Sequence, residues 1–306
     1  MASIDETQSP PVPLGDRLVY YESYIPPDPS LYALSPKEAE FFKVATRIDD
    51  DEALKAHILT TQDKACRVAP YPCIYGFAFL RMGITKNPVY NNILKIGRER
   101  KNAILVDIGC CFGVDSRKAA ADGFSAFNIV ASDLKKEFLE LSHVLFNTTK
   151  DTYPGHFVPG DIFDPAILSV APPSRADVPL PRPDLSSLTS LNPLHGHCSV
   201  INASAFFHLF SEEQQLHVAR ALAGLLSPES GSLICGIQAA AREPGVVTSY
   251  VCGATFDLFC HSPESWEAMW NGVVFPEGEV KVEASLQTME FLNAKGLLMT
   301  WSVTRL

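Results

Sequence analysis

The stretch Ala103-Ile-Leu-Val-Asp-Ile-Gly-Cys-Cys-Phe-Gly113 constrains the fold more than any other part of the chain. From Ile104 to Ile108 it is aliphatic at every position but Asp107, the pattern of a strand covered on both faces. Gly109 and Gly113 follow the strand end, where glycine lets the backbone turn sharply and approach a ligand closely. Val114 to Ala121 is alanine-bearing and free of breakers, so a short helix is predicted there. Asp115 is placed to cap its start and Gly123 its end. Strand, glycine turn and helix are the first half of a β-α-β unit.

The turn also selects a ligand chemistry. Dinucleotide folds carry Gly-x-Gly-x-x-Gly so that a pyrophosphate can rest on amides at a helix start; Gly109-Cys-Cys-Phe-Gly113 lacks that spacing. Asp107, two residues before the first glycine, is awkward beside a pyrophosphate but can hold an ammonium directly or through water. S-adenosylmethionine (SAM) has that ammonium and no phosphate. Two later strand ends fit the same ligand. Phe127 to Asp133 is a second apolar run ending in an acid, and Asp133, followed by Leu134, can accept from both ribose hydroxyls. It lies 20 positions beyond Gly113, a spacing that suits NAD equally. In His156-Phe-Val-Pro-Gly-Asp161-Ile162-Phe163, Asp161 can accept from an adenine amino group while the next two side chains meet the ring. Cys110 in the turn, and Asn202 and Ala203 at the end of a fourth strand from Cys198, complete the expected cofactor set.

Asp107-Ile-Gly-Cys-Cys-Phe-Gly113 with Asp115-Ser-Arg-Lys, Asp122-Gly123, Phe206-Phe-His-Leu-Phe-Ser211 and Glu213-Gln214 resembles fungal SAM-dependent methyltransferases of secondary-metabolite clusters, notably meroterpenoid ones. The likeness takes in Pro70 to Ile74, Pro228 to Leu233 and His261 to Trp270. It implies a Rossmann-like α/β fold: a seven-stranded, mostly parallel sheet with one reversed strand, flanked by helices and preceded by an N-terminal helical lid. It also implies methyl transfer to oxygen, on a hydroxyl or carboxyl of a terpenoid, polyketide or aromatic acceptor. One departure concerns that acceptor. Basic residues of the family, one after the Tyr-Pro-Cys-Ile segment and one in the fifth strand, are replaced here by Tyr75 and Ile237.

At 306 residues and 46% hydrophobic content the chain can form one large α/β domain with an extension. We expect residues 1–90 to be an arm and lid and 91–306 the SAM-binding domain. A formal charge of −10 disfavours a polyanionic partner such as nucleic acid. No stretch has the length of an apolar membrane span, and the start has no signal-peptide pattern, so the cytoplasm is the expected compartment. A homodimer is compatible with all of this. The eight cysteines show no paired zinc spacing, and Cys110-Cys111 is read as packing in a tight turn. His195 and His197 have no other ligands spaced to complete a shell, so no metal is expected.

Along the chain, seven prolines in the first 36 residues suggest an extended arm. Ser35, Pro36 and Glu38 form a capping-box start for a helix bearing Phe41 and Ala45, and a second helix follows from Glu52. The aromatic segment Tyr71 to Leu80 reads as the roof of the acceptor site, with Tyr71, Tyr75 and later Phe207 as acceptor contacts. On this reading lid and cofactor domain are separable near Pro70. Seven more prolines between Asp164 and Pro193 mark a long loop before the fourth strand. A fifth strand over Ser232 to Gln238, a helix opened by Ser262-Pro263-Glu264, and strands over Val280 to Leu286 and Leu297 to Thr304 close the chain.

Methyl transfer is an in-line displacement, so positioning dominates. A carboxylate acceptor is already ionised near neutrality; a hydroxyl needs a base, and His208 is the candidate. Tyr75 and Ile237 incline the reading toward a hydroxyl, whose rate would rise with pH through the histidine pKa. Two other classes stay open at this point: an NAD-dependent oxidoreductase, against which Asp107 and the missing third glycine stand, and a non-catalytic SAM-binding regulator.

Overall fold

The structure, a computed structural model, describes residues 26–175, 181–251, 254–292 and 294–306. Most of the proline arm, up to residue 25, lies outside them. Strand β1 (Ile104–Ile108) is buried along its whole length, as a strand covered on both faces must be. It pairs in parallel with β2 (Ile129–Asp133) and β4 (Cys198–Asn202); β3 (His156–Pro159) adds to β2, and β5 (Leu233–Ala240) to β4. Two 12-residue strands, β8 (Val280–Phe291) and β9 (Ala294–Arg305), complete the seven-stranded sheet in the order β3-β2-β1-β4-β5-β9-β8. Because β9 is antiparallel to both β5 and β8, it is the one reversed strand. This is the Rossmann-like sheet that the resemblance implied.

Four features differ from the sequence reading. A separate two-stranded sheet, β6 (Gly245–Val251) with β7 (Ala254–Cys260), stands between β5 and the next helix, where no element was anticipated. The terminal strands run beyond their expected ends, and the tip of that hairpin reaches the lid: a Cβ on Gly76 would lie 2.7 Å from Phe291 Cζ. The aromatic segment after residue 70 is not one helix. It is a single helical turn, Pro72–Tyr75, followed by 3-10 turns, and left-handed Phe77 (φ 56°) and Met82 (φ 43°) break it. Fourth, Asp115 does not cap the helix α5 (Val114–Ala121); left-handed Gly113 precedes it and no side chain caps it.

The lid helices are α1 (Pro36–Thr46), which has the expected Ser35/Glu38 capping box, and α2 (Asp51–Val68), capped by Asp50; Pro72–Tyr75 is α3 and Tyr90–Glu99 is α4. The lid shares one buried core with the sheet-bearing part of the chain. Phe41, Phe42, Phe77 and Phe79 pack with Phe112 of the glycine turn and with Phe138 and Leu145 of α6 (Lys136–Leu145). Phe112 meets Phe79 edge to face at 4.8 Å and Phe138 at 5.6 Å. A cut near Pro70 would remove Phe41, Phe42, Leu54 and Ile58 from this core. On the sheet's other side, α7 (Glu212–Leu225) and α8 (Pro263–Trp270) cover β4, β5 and β9 with a core that includes Trp266, Trp270 and Trp301.

Buried Asn87 fastens the lid's end to the sheet. Its Nδ2 donates to the carbonyls of Trp301 (2.9 Å) and Gly236 (3.3 Å), partners across β5 and β9, while Oδ1 accepts from Val89 N. Asn87→Ala leaves these buried groups unpaired and is expected to cost about 2 to 3 kcal/mol in urea denaturation. Lys136→Ala, which removes an exposed pair with Glu140, should cost less than about 0.5 kcal/mol. Equal losses would show that Asn87 does not fasten the sheet.

Candidate functional site

β3, β2 and β1 are adjacent, so their parallel ends bring Asp161, Asp133 and Asp107 to one edge of the sheet. The chain reverses its strand order between β1 and β4, and such switch points are where open α/β sheets bind ligands. Asp107 stands opposite Asn202 in the β1–β4 register. It is 2% exposed, with Oδ1 accepting from Asn202 Nδ2 (2.8 Å) and Oδ2 from Ser116 Oγ. Asn202 Nδ2 also lies 3.3 Å from Asp115 Oδ2, and Ser204 Oγ donates to Asn202 Oδ1, fixing the amide's orientation. Burial pushes the Asp107 carboxyl up, against the lowering pull of its hydrogen bonds from Ser116 and Asn202. Asp115 is pushed up by burial and then by the charge of Asp107.

The glycine turn is clamped to β2. Cys111 N donates to Asp133 Oδ2 (2.8 Å), Cys110 N to the Ser132 carbonyl (3.1 Å), and Lys135 N to Asp133 Oδ1 (2.9 Å). Burial raises the Asp133 carboxyl to about 6 despite those amides. Gly109 and Gly113 both have φ near 64°, and Cys111 sits at 52° without being glycine, a strained conformation held by the clamp. A Cβ on Gly109 would lie 2.3 Å from Phe206 Cδ2, whereas one on Gly113 meets nothing nearer than 3.8 Å. Asp161 Oδ1 accepts from Phe163 N (2.9 Å); Ile162 is buried, and Leu134 and Phe163 are half-buried. Ala203, fully buried, donates its N–H to Cys235. Among the described residues no ion pair involves Asp107, Asp115, Asp133 or Asp161. Acids able to accept from hydroxyls and an amino group, beside apolar side chains and an acidic pair that lacks an ion-pair partner among the described residues, fit an adenosine ligand that carries positive charge. SAM has that chemistry.

The expected acceptor residues scatter. Tyr71 packs edge-on to Phe138 at 5.8 Å, and its hydroxyl is pushed up by burial and by the charges of Asp133, Cys73 and Cys111, which puts it beside the cofactor turn. Tyr75 is half-buried, its carbonyl accepting from Gln62 Nε2. Phe207 is wholly buried, 4.9 Å from Trp266 and 5.6 Å from Trp301, while its neighbour Phe206 is the ring on Gly109. His208 is half-buried beyond the end of β4; its Nδ1 accepts from Ala239 N at 3.3 Å, and burial pushes its pKa down to about 4. The neutral ring therefore carries its proton on Nε2. His195 Nε2 pairs with the Ser169 carbonyl, and among the described residues no cluster of histidine, cysteine or acids is arranged for a metal. The sequence reading missed Asp115, Ser116, Ser204 and Phe206. Asp115 was read as a cap, and Phe206 was passed over for the ring one position on.

Gly109→Ala must place a Cβ against Phe206 and hold a left-handed alanine, so a loss of about 2 to 4 kcal/mol is expected on denaturation. Gly113→Ala bears only the backbone cost, about 1 to 2 kcal/mol. Phe206→Ala in the Gly109→Ala background should recover part of the difference. No recovery would mean that Phe206 is not what excludes a side chain at Gly109.

Comparison with known proteins bears on what this site does. The profile of a meroterpenoid methyltransferase N-terminal domain matches residues 22–80. The methyltransferase adrK of Penicillium roqueforti is 31% identical over 72% of this chain and 70% of its own length. The O-methyltransferase phiE of a fungal species is 30% identical over 78% and 71%, and the methyltransferase trt5 of Aspergillus terreus 30% identical over 78% and 76%. Among solved structures, a SAM-dependent methyltransferase from Mesorhizobium loti is a distant likeness, with a TM-score of 0.41 at 13% identity over 73% of this chain and 100% of its own. The relatives, joined to a Rossmann-like sheet, show that this chain belongs to the SAM-dependent methyltransferases of fungal secondary metabolism.

Proposed function

We propose that this enzyme methylates oxygen, and specifically a carboxylate of a small terpenoid, polyketide or aromatic metabolite. The state of His208 carries the reading. With Nδ1 held by the Ala239 amide and its pKa near 4, the ring stays neutral through the physiological range and offers Nε2–H as a donor. Its free nitrogen has no lone pair with which to take a proton from a hydroxyl. A carboxylate needs no base, and an N–H donor to its second oxygen would orient it. Two relatives are named O-methyltransferases, which supports oxygen as the acceptor atom. Tyr75 and Ile237, standing where the family has bases, favour the second reading, a hydroxyl acceptor.

In this proposal Asp133 accepts from the ribose hydroxyls, and Asp161 with Leu134 and Ile162 takes the adenine. Gly109, Cys110 and Gly113 let the backbone approach, and Asn202 and Ala203 line the methionine end. When bound, SAM supplies a sulfonium methyl whose C–S bond breaks as an acceptor oxygen lone pair forms the C–O bond. The chain's part is alignment and exclusion of water by the lid, the hairpin tip at Phe291 and Phe206. Residues to about 90 act as lid and 91–306 as cofactor domain, the division falling at the start of α4. The charge of −10 suits a small acceptor better than nucleic acid. No described helix is long and apolar enough to cross a membrane, and a cytoplasmic homodimer completes the proposal.

Methyl-labelled SAM incubated with enzyme and a fungal metabolite extract decides the acceptor. A methyl ester releases its label as methanol on mild alkaline hydrolysis, the expected result; base-stable label would point to an ether and a hydroxyl acceptor. Since His208 titrates near pH 4, kcat/KM for the acceptor at saturating SAM is expected to be flat from about pH 6 to 8 for either acceptor, so substitution is the sharper probe. His208→Asn, which keeps an N–H donor, should cost less than about 10-fold and His208→Ala more. A loss of about 10²- to 10⁴-fold in both would restore the general base.

A further inference from the structure

Asp107, the acid that the strand pattern points to, is 2% exposed and offers a ligand no free face. Asp115 stands nearer the surface. It is half-buried at the start of α5, accepting from Asn202 Nδ2 on Oδ2 (3.3 Å) and from the Ile84 backbone amide, with Oδ2 3.4 Å from where a Cβ on Gly83 would lie; Ser204 also borders Gly83. Asn202 thus joins the two acids through a single amide nitrogen. The titratable groups facing Asp115 are Asp107 on β1, Lys86 in the turn before α4, Tyr90 on α4 and Cys235 on β5. Lys86 alone of these is cationic; it is exposed and forms no ion pair with Asp115 among those described.

Resting on the cofactor placement above, we propose that Asp115 receives the α-ammonium of SAM, and that Asp107, Asn202 and Asp115 together hold a proton that this cation displaces to solvent. The step balances simply: a carboxyl O–H loses its proton to water, and an N–H of the ammonium forms a hydrogen bond to the carboxylate left behind. Burial raises both carboxyls, and the charge of Asp107 raises that of Asp115 further. The pair is partly protonated in the free protein and ionised in the complex. SAM binding therefore releases protons, and its affinity rises with pH through the pair's titration before levelling off. Asp115 would also set specificity, since a nucleoside thioether without the amino-acid portion never reaches it.

Calorimetry on the full chain tests this with SAM and with 5′-methylthioadenosine, each titrated near pH 6.5 in two buffers of different ionisation enthalpy. Proton release with methylthioadenosine reports Asp133, whose carboxyl is also raised; the excess with SAM reports the acid pair. The expected results are an excess release with the wild type, and an Asp115→Asn enzyme that loses the excess and binds SAM about 10- to 100-fold more weakly with methylthioadenosine unchanged. Equal proton release for the two ligands in the wild type would overturn the proposal whether or not the variant folds. So would wild-type SAM affinity in Asp115→Asn, or an equal loss for both ligands. The cofactor placement itself fails separately, if Asp133→Asn alters the binding of neither ligand.

Discussion

The site depends on one buried carboxylate and the two side chains that hold it. Asp107 ends β1 inside the protein, where a charged oxygen without a partner costs about 1 to 3 kcal/mol or more. Ser116 and Asn202 meet that demand, and in doing so they fix two other elements. Ser116 pins α5 against the strand, and Asn202 pins the end of β4 in register with β1. The crevice at the switch point is therefore shaped by the satisfaction of Asp107. The Asn202 amide then passes the constraint on to Asp115 and Ser204, so that one short polar chain crosses the floor of the crevice.

Around that floor, packing sets the rest. Phe112 leaves the glycine turn to become part of the lid's aromatic core, so the conformation of the turn and the seat of the lid are mechanically one. Arg117, on the same helix as Ser116, is buried with its guanidinium 3.8 Å from the Tyr153 ring centre and 4.4 Å from that of Phe146. Its Nε donates to Ser142 Oγ on α6. Stacked cations of this kind contribute about 2 kcal/mol when desolvated, enough to hold α5 against α6 without a carboxylate partner. A turn tied to its surroundings in this way can sustain a left-handed cysteine at position 111.

Much of the fold was legible because its signals are local. The aliphatic run of β1, the capping box at Ser35 and the helix start at Ser262 each appear in the structure as read. The β6–β7 sheet was not legible, since its strands pair only with each other. The full length of the terminal hairpin was hidden for a related reason: its tip meets Gly76 of the lid, a contact that lies more than 200 residues away in sequence. In the site, acids at strand ends were visible as types, but their partners were not. A helix-start aspartate reads as a cap unless the fold is known to place another acid and an amide beside it. Phe206 and Phe207 could not be told apart either, because which ring faces the crevice depends on the backbone after β4, where Ala205 adopts a left-handed conformation (φ 54°).

The central claim is that one cofactor spans the ends of β3, β2, β1 and β4, and amide hydrogen exchange of the full chain with and without SAM tests it most directly. The account expects SAM to slow exchange in peptides covering the glycine turn from Asp107 to Asp115, the Asp133–Lys135 corner, the Asp161–Phe163 turn and the segment after Asn202. The β6–β7 sheet should be unchanged. Protection that falls elsewhere, or that leaves the Asp133 corner and the Asp161 turn exchanging as in the free protein, would contradict it.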